Sequence, residues 1–234
     1  MAVQLPLDIQ LPDYARFDSF LAADNLLLVD VLRQMAEQRG ELQVYLWSEN
    51  GMGKTHLLQA MCYQAMQRGA PACYLPLPIL MEHGPQLLDN METIGILCID
   101  DVHCVAGLSN WERALFSLIN RCRAQQTRLI FAAGANINEL PWKLADLVSR
   151  FSWGPVFQVK ALSDDSKLKL LQLRARYRGI ELSDDVANYM LRRMPRDIPR
   201  LCKLLDTLDR ESLVAQRRIT IPFVKRILEG SGEI

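Results

Sequence analysis

The sequence predicts an α/β fold: a five-stranded parallel sheet with helices on both faces, followed by a small all-helical domain. Three observations carry this. Five short apolar runs alternate with helix-like stretches up to about residue 160 of the 234. From about residue 163 the runs stop, and four helical segments follow one another. The charge changes sign at the same place: residues 1–159 hold 11 Lys/Arg against 16 Asp/Glu, and residues 160–234 hold 16 against 11. A shift of that kind marks a domain boundary.

Taken in order, residues 1–12 place prolines among leucines and read as an extended arm. Residues 24–39 (DNLLLVDVLRQMAEQR) have helical periodicity and stop at Gly40. Residues 42–47 are a buried strand, and 54–68 a helix ending at Gly69. PACYLPL (71–77) is a second strand, and the unbroken apolar run in 94–99 (IGILCI) suits a central parallel strand. Residues 109–125 form a helix with Ser109 as its expected N-cap. TRLIFAA (127–133) and VFQVK (156–160) complete the sheet. Beyond it, two segments open with SDD, at 163 and 183, and two more run to about residue 230. The expected boundaries are an arm at 1–12, an α/β domain at 13–162 and a helical domain at 163–234.

Half the residues are hydrophobic and 23% are charged, a composition that supports a sizeable core. The net charge is zero, which argues against a protein that coats nucleic acid by charge alone. The six cysteines (62, 73, 98, 104, 122, 202) show no CxxC, and the three histidines are scattered. Reduced cytosolic thiols are expected, and no structural metal. The opening MAVQLPLDIQ has no basic stretch leading into a long apolar one, so no secretory signal is expected. No apolar stretch approaches the roughly 18 residues that a membrane span needs.

The chemistry is concentrated in LQVYLWSENGMGKTHLL (42–58). A strand, a glycine-containing loop and Lys-Thr at a helix start make a phosphate cradle. Backbone amides point at the anion, and the helix dipole adds positive potential. Glycines let phosphate oxygens approach where a Cβ would clash. Asn50, Gly51, Met52, Gly53, Lys54, Thr55 and His56 are the expected nucleotide-binding residues, with Lys54 on the β- and γ-phosphates and Thr55 on Mg²⁺. Ser48 stands where the full G-x-x-x-x-G-K-[ST] pattern has its first glycine. ILCIDD (96–101) supplies a facing carboxylate pair. Asp100 is expected at the metal, and Asp101 as catalytic base or water-orienting group. Arg150, just before the last strand, is placed where a P-loop ATPase projects a finger into a neighbour's site. Arg196 and Arg200, within MPRDIPRL, are candidates to swing onto the γ-phosphate as the two domains close.

With these residues in hand, the chain resembles an AAA+ P-loop NTPase, and YARFDSFL, GMGKTHLLQAM, ILCIDDVH and LVSRFSWG resemble the DnaA/Hda replication family. The resemblance runs from about residue 12 to 229, and it makes the helical domain a lid. The sequence ends at Ile234, where DnaA continues into a DNA-reading domain, so no sequence-specific DNA binding is expected. This points to the branch of the family that inactivates DnaA after initiation. The resemblance implies DnaA as partner and hydrolysis of DnaA-bound ATP stimulated in trans by Arg150. It also implies that QLPLDI docks on the replicative sliding clamp through Gln4, Leu5, Leu7 and Ile9. A homodimer or homo-oligomer in the cytoplasm, reaching the nucleoid through the clamp, is expected. Gly134 replaces the aspartate that the family usually carries after its fourth strand, and Asn136 is the nearest polar candidate. With Ser48, this favours bound ADP over rapid ATP hydrolysis. The competing expectations are an autonomous AAA+ ATPase acting as a helicase loader or remodeller, and a nucleotide-gated binding module without catalysis.

Overall fold

The computed structural model describes residues 15–194 and 197–230. The sheet has five strands: β1 (Gln43–Trp47), β2 (Ala72–Pro76), β3 (Ile96–Asp100), β4 (Arg128–Ala133) and β5 (Val156–Gln158). Their order is β2-β3-β4-β1-β5, and every pairing is parallel. Between β1 and β2 runs α2 (Lys54–Gln67), crossing over to pack on β2, β3 and β4. α1 (Leu26–Ala36) packs against α2. The expected five-stranded parallel sheet is therefore present. Its strand order puts the loop after β1 and the end of β3 on either side of β4, at the carboxyl edge where such sheets bind ligands.

The opposite face is covered by α4 (Ser109–Gln125) and α5 (Ala145–Phe151). Alternate strand residues Tyr45, Leu97, Ile99, Leu129 and Phe131 meet Leu115, Leu118, Ile119, Leu147 and Phe151 there. Phe151 makes an edge contact with Phe131 at 4.8 Å and a tilted one with Tyr45 at 5.6 Å. All three rings are fully buried, each worth about 1.5–3 kcal/mol relative to exposure. Burial also pushes the Tyr45 hydroxyl well above its usual range.

Several boundaries differ from the sequence reading. α1 begins at Leu26 after a 3-10 turn (Ala23–Asn25) and ends at Ala36, short of Gly40. Ser109 is the first residue of α4 and not its cap. The capping work is done by Glu112, whose carboxylate reaches back to the Gly107 amide at 2.7 Å. β2 ends at Pro76 and turns at once into the short α3 (Leu77–Leu80). β5 is limited to three residues.

The contacts divide the chain into two compact units. Among the described residues, one comprises 15–17 with 25–159, the other 18–24 with 160–194 and 197–230. Four helices build the second: α6 (Asp164–Tyr177), α7 (Asp184–Arg193), α8 (Ile198–Ala215) and α9 (Ile221–Gly230). Ser163 caps α6 by accepting the Ser166 amide. Leu171, Met190, Leu205, Leu208 and Val224 form its core. Among the described residues, no helix is long and apolar enough to cross a membrane.

Candidate functional site: a phosphate cradle and a mounted arginine

The loop after β1 reverses through Gly51 (φ 82°) and Gly53 (φ 93°), both left-handed, before α2 starts at Lys54. Only glycine adopts that pair of angles without strain. Lys54 is 5% exposed, and its ammonium donates to Ser48 O (2.8 Å), Glu49 O (2.9 Å) and Ser48 Oγ (3.2 Å). Ser48 is thus part of the cradle: its amide pairs with Ala133 O on β4 and its hydroxyl accepts from Lys54. Burial pulls the Lys54 ammonium below its usual value, with Asp100 and Asp101 opposing.

Asp100, the last residue of β3, is 1% exposed. Its Oδ2 accepts from Thr55 Oγ1 (2.7 Å) and Tyr74 Oη (2.9 Å), and its Oδ1 from the Asp101 amide (3.0 Å). The expected pair Thr55–Asp100 is brought together across 45 residues of sequence. A threonine hydroxyl beside a fixed carboxylate is a set of hard oxygen donors that fits Mg²⁺, an ion that completes its shell with water and phosphate. Among the described residues, no group of three His, Cys, Asp or Glu could hold a metal by itself. Asp101 is left-handed (φ 55°), and its carboxylate lies 3.9 Å from His103 Nδ1. Burial and the neighbouring Asp100 raise its pKa, and His103 and Lys54 counteract this.

The His56 Nε2 is 2.9 Å from Arg16 O, so the ring ties the first turn of α2 to the start of the described residues. Arg200 lies in the helical unit with Asp197 3.8 Å away. Arg196 lies outside the described residues, as do Gln4, Leu5, Leu7 and Ile9.

Arg150 occupies the last turn of α5. Its Nε donates to Asn120 Oδ1 at 3.0 Å, and its guanidinium lies 4.4 Å from the Trp153 ring centre and 5.1 Å from that of Phe116. Arg123 stacks on Trp153 as well, at 4.1 Å. The helix carrying Arg150 is fixed at both ends. Glu112, fully buried, accepts the Lys143 and Leu144 amides at its start. Gln43 donates to Arg150 O (2.7 Å) and Phe151 O (3.0 Å) at its end. Gly154 completes the clamp, because a Cβ there would stand 1.8 Å from Gln43 O.

Sequence reading missed Tyr74, Asn120, Trp153, Glu112 and Gln43. One signal was available: Phe116, Asn120 and Arg123 are spaced i, i+4, i+7 and therefore share a face of α4.

A parallel sheet of order β2-β3-β4-β1-β5, a Gly-Lys-Thr cradle and a facing Asp100 define an AAA+ P-loop protein. Residues 11–75 match the model of the bacterial DnaA ATPase domain, and residues 164–228 that of the Hda lid domain. The chain belongs to the DnaA/Hda family. Among solved structures, domain III of Thermotoga maritima DnaA is similar at 18% identity, TM-score 0.80, over 95% of this chain and 98% of that one. AMPPCP-bound DnaA from Aquifex aeolicus is similar at 21% identity and TM-score 0.72, over 86% of this chain, which spans 66% of that chain's length. The Thermotoga maritima RuvB branch migration motor follows at 20% identity and TM-score 0.67, covering 92% of this chain and 73% of the motor.

Proposed function

We propose that this chain is a regulator of replication initiation that inactivates DnaA by completing the reaction centre around DnaA-bound ATP. Asn50, Gly51, Met52, Gly53, Lys54, Thr55 and His56 hold the phosphates of an adenine nucleotide, ADP in the working state. Thr55 and Asp100 hold Mg²⁺, which neutralises phosphate charge when bound. Arg196 or Arg200 contacts the same nucleotide from the helical lid, residues 163–234. Arg150 stabilises the charge that develops on the phosphoryl group of the partner's ATP. Gln4, Leu5, Leu7 and Ile9 tether the chain to the DNA-loaded sliding clamp, raising its local concentration near DnaA.

The observation that carries this reading is how Arg150 is held. Its side chain rests on Asn120, Phe116 and Trp153, on α4 and just beyond α5, and none of these belongs to the cradle. An arginine mounted away from its own phosphate loop, in a protein whose lid matches Hda, supports action in trans.

The assay measures ATP hydrolysis by DnaA alone, by this chain alone, and by the two mixed with DNA-loaded clamp. Stimulation in the mixture, abolished by Arg150→Ala with ADP and clamp binding intact, is the expected result. Normal stimulation by the variant removes the finger assignment. A second reading, an autonomous ATPase acting as a loader or remodeller, draws on the intact Lys54, Thr55, Asp100 and Asp101 cluster. It requires turnover by this chain alone that Asp101→Asn destroys.

A further inference from the structure

His103 lies in the 3-10 turn Val102–Val105, at the carboxyl edge of the sheet just after β3. Its Nδ1 accepts the amide of Gly134, the first residue beyond β4, at 3.0 Å. A backbone amide can only donate, so Nδ1 is the acceptor and the proton of the neutral ring resides on Nε2. The ring presents its face to Gly134: a Cβ there would stand 3.1 Å from Nε2 and 3.3 Å from both Cδ2 and Cε1. The bare glycine and the imidazole are therefore complementary, and the side chain between β3 and β4 comes from the turn after β3.

The Nε2–H has a weak neighbour, Cys104 Sγ at 3.8 Å, a sulfur that competes poorly as an acceptor. The imidazole is 28% exposed, so a ligand can reach it. It also stands beside a carboxylate of the cradle, with Nδ1 3.9 Å from Asp101 Oδ1. One nitrogen is tied to the backbone, and this leaves the other as a donor of fixed tautomer beside a thiol.

We propose that His103 Nε2–H donates a hydrogen bond to the terminal phosphate of a nucleoside triphosphate, so that this residue distinguishes tri- from diphosphate in the cradle. The inference rests on the nucleotide site proposed above. A neutral donor to an anionic oxygen is a charge-assisted bond, and its loss corresponds to about a tenfold fall in affinity. Diphosphate, lacking the terminal group, is indifferent to it.

Calorimetric titration of the full chain with Mg-ADP and with the non-hydrolysable Mg-AMPPCP tests this. His103→Ala is expected to weaken AMPPCP about tenfold and ADP less than twofold. His103→Gln, whose amide can donate from nearly the same point, is expected to restore AMPPCP. Gly134→Ala, whose methyl displaces the ring, is expected to weaken AMPPCP selectively as well. An equal loss of both ligands in His103→Ala, or no loss of either, overturns the inference while leaving the nucleotide site standing. Failure of the unmodified chain to bind either ligand overturns both.

Discussion

Two cations of the α/β unit are mounted in opposite ways. Lys54 is buried, and its ammonium spends its donors on Ser48 and Glu49. Arg150 lies half-buried on aromatic faces with one neutral hydrogen bond, through Nε, to Asn120. Among the described residues its terminal nitrogens make no hydrogen bond. The contrast follows from side-chain chemistry. A compact ammonium suits a ring of carbonyls that closes around a phosphate. A planar guanidinium keeps its fork for an external anion while its face rests on indole. On the function proposed above, the first arrangement serves a ligand of this chain and the second a ligand brought by a partner.

Breaking the two corners separately tests that division. Lys54→Ala is expected to weaken Mg-ADP on the order of 10³-fold by calorimetry, about 4 kcal/mol, through loss of charge-assisted bonds to phosphate. Arg150→Ala should leave the same constant within twofold. If Arg150→Ala also removes ADP binding, the two corners form one site and the contrast fails. A smaller effect sharpens the account of how Arg150 is held. Glu112→Ala leaves the Gly107, Lys143 and Leu144 amides without their acceptor. Urea denaturation should report a loss of about 3 kcal/mol. Smallest is Trp153→Ala, which removes the stacking platform of Arg150 and Arg123. Stimulated hydrolysis is expected to fall about fivefold, in line with roughly 1 kcal/mol for an exposed cation–π contact, with ADP affinity unchanged.

The sheet was legible because buried parallel strands are written as apolar runs, and the cradle because glycines, Lys54 and Thr55 sit together in one loop. Asp100 was legible for the same reason, at the end of IGILCID. What was hidden depends on long-range partners. Gln43 reads as an ordinary residue at the start of a strand, yet it closes a helix 107 residues away. Tyr74 meets Asp100 across 26 residues and Asn120 meets Arg150 across 30. α5 has seven residues, too few for its periodicity to stand out. Ser48 was read as a missing glycine, whereas its hydroxyl and carbonyl both hold Lys54. The ring contact of His56 with Arg16 O spans 40 residues and had no local signal either.

Strand β1 carries Gln43 at one end and leads into the cradle at the other. It is bonded on both edges, to β4 and β5, and its residues Val44, Tyr45 and Leu46 have no solvent exposure. Such a strand behaves as a stiff ruler of about 16 Å. It sets the spacing between the phosphate loop and the Arg150 helix, and it has no slack to give when one ligand is exchanged for another. If Arg150 acts in trans as proposed, control over it has to come from how the whole body is steered onto its target, and not from lengthening its reach.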